Sequence, residues 1–218
     1  MLTKISQGLG ILPIVVFLIF LKRNNKKGEW VIFLYCILSF ITDQIYGFLK
    51  AKNYTFSVFS SFTFVEYALF SLFIYLSLKE KAFKVILIIC SAIFYGITIF
   101  TFAGKRIDSF DSLSASFEAS LMIVYCIFFL YERMKDPAIF YIYYFKDFWI
   151  IIALLLYFSS TLFLFIYAAT FTSQEHRNYW GINNIFDILK TVLFTISFIM
   201  KDNNKKQEFS LGTSYNEM

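Results

Sequence analysis

Residues 180–200 read WGINNIFDILKTVLFTISFIM. The stretch is long enough to cross a bilayer, yet it carries Asn183, Asn184, Asp187 and Lys190. Asn183, Asp187 and Lys190 fall at i, i+4 and i+7, one face of a helix. An ionisable pair inside a hydrocarbon-length helix is costly and must face protein or water. The rest of the chain is therefore expected to cover that face.

Composition agrees with a bilayer setting. The 218 residues are 59% hydrophobic and only 16% charged, against roughly 25% charged in soluble domains, and mean hydropathy is +0.65. The apolar runs are continuous rather than alternating, which disfavours a β-barrel. They predict an all-α integral membrane bundle of seven transmembrane helices spanning about 5–21, 30–49, 59–78, 85–103, 113–131, 148–171 and 180–200. The first run has Lys22 and Arg23 after its apolar core and no small-residue cleavage site, so it is read as a retained span. Residues 138–145 (AIFYIYYF) are too short to span and read as an aromatic interfacial stretch. Residues 201–218 form a polar tail expected to be disordered.

Lys and Arg set the orientation. Lys4, Lys50, Lys52, Lys105, Arg106 and Arg177 lie on one side, six in all. Thirteen lie on the other, in the loops around Lys22, Lys79 and Arg133 and in the tail. The positive-inside rule puts the N-terminus outside and the C-terminus in the cytoplasm. The location is then the cell membrane, the inner membrane in a bacterium.

In that orientation Asp43, Glu66, Glu118 and Asp187 all fall in the outer half of four different spans, Asp187 roughly 10 Å deep at ~1.5 Å per residue. Ala115, Glu118, Ala119 and Met122 share a face whose small residues suit close helix approach. Cys36, Ser39, Asp43 and Tyr46 share another, and Glu66 shares its face with Thr63, Phe70 and Phe73. Ser159, Ser160 and Thr161 sit near mid-membrane beside Tyr157. The expectation is a polar, outward-facing acidic cavity lined by Asp43, Gln44, Glu66, Glu118, Asn183, Asn184, Asp187 and Lys190, suited to a cation, an amine or a proton-coupled switch. The competing reading is structural: Asp187 and Lys190, at i and i+3, pair within their own helix.

Catalytic motifs are missing. The sequence has no G-x-S-x-G, no H-E-x-x-H and no glycine-rich phosphate loop. No catalytic residue, metal ligand or cofactor is assigned, and an enzyme is not expected. Cys36, Cys90 and Cys126 fall in separate spans without a C-x-x-C and read as buried apolar residues. His176, the one histidine, is placed in an outer loop. The basic charge reads as topology and contact with anionic lipid, not nucleic acid binding. Asn53-Tyr54-Thr55 matches a glycosylation triplet, a common chance pattern.

Residues 148–168 (FWIIIALLLYFSSTLFLFIYA) and 179–194 (YWGINNIFDILKTVLF) carry a resemblance. They resemble the end of small uncharacterised seven-span bacterial integral membrane proteins. More loosely, they resemble the seven-helix sensing portion of some sensor histidine kinases. Here an 18-residue tail follows the last span instead of a kinase domain. The resemblance thus implies a sensor module that signals through a separate cytoplasmic partner, and assigns no residue a role. Sensor and signalling module is the expected function. A small-solute or cation/proton transporter, or a structural subunit of a membrane complex, is the alternative. Oligomeric state is not legible in the sequence.

Overall fold

The computed structural model describes residues 2–49, 55–104, 112–135, 142–167 and 173–201. Among the described residues the chain is helical throughout. The α-helices are α1 (Leu2–Leu9), α2 (Ile11–Ile19), α3 (Lys27–Leu49), α4 (Thr55–Ser77), α5 (Lys81–Gly104), α6 (Ser112–Lys135), α7 (Lys146–Tyr167) and α8 (Ser173–Ile199). Single 3-10 turns occupy Leu21–Arg23 and Ile142–Tyr144. Five helices are long and apolar enough to cross a membrane: α3, α5, α6, α7 and α8. The apolar stretches Ser6–Ile19 and Ser61–Ser77 are shorter.

The first expected span is two helices rather than one. Pro13 lacks an N–H and its ring crowds the carbonyl four residues back, which interrupts the ladder around Gly10. Gly10 keeps helical dihedrals, and its N–H still reaches the Ser6 carbonyl at 3.1 Å. The result is a bend, with Pro13 in the first turn of α2, where a missing donor costs little.

Other boundaries lie outside the apolar limits. α3 begins three residues before Trp30, so Glu29 is in its first turn, where an acid is favourable. α8 begins at Ser173. His176 and Arg177 therefore belong to a helix, not to the expected outer loop. The helix extends past its apolar segment because backbone hydrogen bonding continues where hydropathy falls, and Glu175 suits a first turn. The Asn53-Tyr54 part of the glycosylation triplet, Lys105 and Arg106, residues 138–141, residues 168–171 of the sixth expected span and the tail beyond Lys201 lie outside the described residues. The described end of the aromatic stretch is no part of a long helix: Tyr143 and Tyr144 are exposed, and the Trp149 indole donates to the Tyr143 carbonyl at 2.9 Å.

Packing arranges the helices as a ring. α3 packs on α4, α4 on α6, α6 on α7 and α7 on α8, and the α1–α2 pair closes the circle between α8 and α3. α5 lies outside, against α4 and α6, and shows Val85, Ile88, Ile89, Ile93 and Phe100 outward. The end where α3 finishes and α4 starts is called the upper end below. Midway down, Phe70, Phe158 and Phe194 are buried and meet edge to face, and Phe17 and Phe198 do the same nearer the lower end. Between helices in lipid such packing, rather than water exclusion, holds the bundle. Each ring pair adds about 0.5–1.5 kcal/mol beyond area. Near the lower end Gly28 permits close approach of α3 to α4, since a Cβ there would meet the Phe73 ring at 3.2 Å.

The tight α4–α5 turn is clasped from α6. Glu132 accepts the backbone N–H of Lys79 at 2.7 Å and of Glu80 at 3.0 Å. Arg133 donates to the Ser77 carbonyl at 3.1 Å. The carboxylate supplies an acceptor for donors that a helix start leaves open. Glu132→Ala is expected to cost about 2 kcal/mol and to speed amide exchange at residues 79–82. Unchanged exchange there would show that the clasp contributes nothing.

Candidate functional site

The site is built on α8. Lys190 is 3% exposed and extends across the ring interior. Its Nζ lies 2.8 Å from Asp187 Oδ1, one turn back on the same helix. It also donates to the Tyr35 hydroxyl of α3 at 2.8 Å, and it sits 3.8 Å from the centroid of the Tyr157 ring of α7. The ammonium thus has a carboxylate, a phenol and an aromatic face around it, which matches its three donors.

The network continues in both directions. Tyr35 donates to Glu66 Oε1 of α4 at 2.9 Å. Ser6 of α1 donates to Asp187 Oδ2 at 2.5 Å. One connected set, Ser6–Asp187–Lys190–Tyr35–Glu66, therefore joins α1, α8, α3 and α4, with α7 supplying a ring. The intrahelical Asp187–Lys190 pair is present and is one link of this set.

A cavity of about 20 Å³ opens beside the set, bordered by Ser6, Pro13, Ser39, Asp43, Asp187 and Lys190 among others. A single water needs about 10–15 Å³ of such space, so the hollow suits a water or a small ion. Asp43 is half-buried on its wall and is close enough to Asp187 and Lys190 to feel both charges.

Sequence-named residues divide into groups. Asp43, Asp187 and Lys190 border the cavity. Glu66 is 7% exposed and reaches it only through Tyr35. Glu118 is 3% exposed and does not border the cavity, and it lies within electrostatic reach of Glu66 and Lys190. Its Oε1 is buried without a hydrogen-bond donor among the described residues. Gln44 is exposed, and Asn183 and Asn184 are half-buried above Asp187; none of the three borders the cavity. Asn183 stands one turn above Asp187 on α8 with its Oδ1 buried, and Gln44 follows Asp43 on α3.

The expected faces hold where side chains are described. Ala115, Glu118, Ala119 and Met122 are all buried, as are Cys36, Glu66, Phe70 and Phe73. The hydroxyl stripe of α7 is spent locally: Ser160 and Thr161 both donate to the Tyr157 carbonyl, at 2.8 and 2.9 Å. Tyr35 and Tyr157 are the partners that sequence reasoning overlooked. A usable signal existed for Tyr35, which stands at i−4 and i−8 from Ser39 and Asp43.

A second polar cluster sits at the lower end. Lys146 and Glu29 are each 1% exposed and pair at 3.1 Å. Lys146 also donates to Asn24 Oδ1 at 2.7 Å and to the Arg23 carbonyl at 2.8 Å. Asn24 donates to the Phe198 carbonyl at 3.3 Å, and Ser197 donates to the Lys146 carbonyl at 3.1 Å. The turn before α3 and the ends of α3, α7 and α8 are joined there. Counted by sequence, these charges belonged to loops.

Among the described residues no group of three or more His, Cys, Asp or Glu side chains is placed to hold a metal. No protein-family model, curated protein or solved structure matches the chain.

Proposed function

We propose that the chain is a seven-span sensor module of the cell membrane, with its N-terminus outside and its upper cavity facing outward. Occupation of the cavity by a small ion or proton changes how the helix ends are held at the cytoplasmic side, where a separate signalling partner reads the change. The observation that carries this reading is the single ammonium of Lys190 tying α8 to α3 and, through Tyr35, to α4. A charge change at that node alters the contacts of several helices at once, which is what a ligand must do to shift a conformational equilibrium. The excess of Lys and Arg on the lower loops supports the orientation.

Transport of a cation or proton is the second reading, favoured by the surplus of carboxylates over Lys190. It requires a polar route past Phe70, Phe158 and Phe194, which are buried against one another below the cavity.

The test uses proteoliposomes with the upper end outward. A step in external pH or cation concentration is expected to change amide exchange at residues 22–29 and 78–82. Asp187→Asn and Glu118→Gln are expected to remove the response while leaving membrane insertion intact. Solute or proton uptake without a lower-end change favours transport. Failure of both variants to accumulate assigns these groups to structure alone.

A further inference from the structure

Glu118 is not used by the network just described, and its environment is unusual. It lies on the buried face of α6, where Ala115, Ala119 and Met122 fill the neighbouring positions. Its Oε1 is buried with no hydrogen-bond donor among the described residues. The ionisable groups near it are Glu66 of α4, Tyr95 of α5, Tyr157 of α7 and, across the ring, Lys190 of α8. Tyr67 of α4 and Tyr125 of α6 are engaged with each other at 3.1 Å and with Ser91 and the Leu87 carbonyl. The one cation in this set is already matched by Asp187 at 2.8 Å. Glu66 and Glu118 are therefore in surplus. An ionised carboxylate whose oxygen lacks a donor in such a place is costly, and a neutral carboxylic acid is not.

We propose that Glu118 is a proton-binding site and that this proton is the species the module reads. The inference rests on the sensor reading for its purpose, but not for its chemistry. One O–H bond forms on the Glu118 carboxylate as one O–H bond of a water breaks, so external water supplies the proton and the interior gains one positive charge.

The test is infrared difference spectroscopy on the full chain in liposomes. Wild-type protein is expected to show the carbonyl stretch of a protonated carboxylic acid, shifted by D2O and by ¹³C-labelled glutamate, and lost in Glu118→Gln. Absence of a glutamate-derived acid band from wild type at any pH overturns the proposal, as does a band that persists unchanged in Glu118→Gln. The labelled wild type decides even if Glu118→Gln fails to fold. A band that titrates with external pH while lower-end exchange stays constant keeps the proton site and removes the sensor reading.

Discussion

Lys190→Met is expected to destabilise the bundle by about 3–5 kcal/mol, the usual cost of removing one partner from a buried ion pair. The ammonium meets Asp187, Tyr35 and the Tyr157 ring at once. Without it, the Asp187 carboxylate keeps only the Ser6 hydroxyl among the described residues, and Tyr35 loses its donor while still bonded to Glu66. Methionine fills similar volume, so packing changes little and the loss is electrostatic. The measurement is thermal unfolding in detergent, read by maleimide labelling of Cys126, which is fully buried. Adding Asp187→Leu to Lys190→Met is expected to restore much of the loss, because the stranded charge goes too. The double-mutant cycle then gives the coupling of the pair directly. A single variant within about 1 kcal/mol of wild type would mean that the pair is solvated and that the polar set holds nothing together.

How much of this was legible beforehand differs between elements. Long apolar runs placed α3 to α8 closely, because hydrocarbon length leaves few alternatives. Burial of Glu118 followed from the small residues Ala115 and Ala119 that share its face. Gln44, Asn183 and Asn184 do not border the cavity, because polar character says a side chain avoids lipid, not which neighbour it meets. Their carboxylate neighbours Asp43 and Asp187 hold the inward positions. Tyr35 was overlooked because a tyrosine is at home against lipid headgroups, in cores and in hydrogen-bond chains alike. Only its contact with Lys190 decides among these. A charge count carries no information about burial, so the position of Lys146 in a loop between expected spans did not show that it is buried with Glu29. The helices extend beyond the apolar limits and draw both inside.

Lys146→Met separates a clamp from a coupled switch. Its Nζ makes three contacts, to Glu29, Asn24 and the Arg23 carbonyl, and Lys146, Glu29 and Asn24 are buried. Removing it strands Glu29 and leaves two acceptors open, so about 3–5 kcal/mol is expected to be lost. Amide exchange should rise at residues 22–29 and 146–150. Glu29→Leu together with Lys146→Leu is expected to be milder than either single change. The Lys190 network lies further up the same helices, α3, α7 and α8, and linkage requires reciprocity. If a proton at the upper end alters how the lower end is held, then loosening the lower end must alter proton binding by the same free energy. A coupling of about 1–3 kcal/mol moves the titration midpoint of the Glu118 acid band by roughly one or two pH units. The direction tells whether the proton-loaded form holds the lower end open or shut. A midpoint that stays put while stability falls makes Lys146 a clamp only. It also leaves the upper cavity with no energetic path to the cytoplasmic face through this cluster.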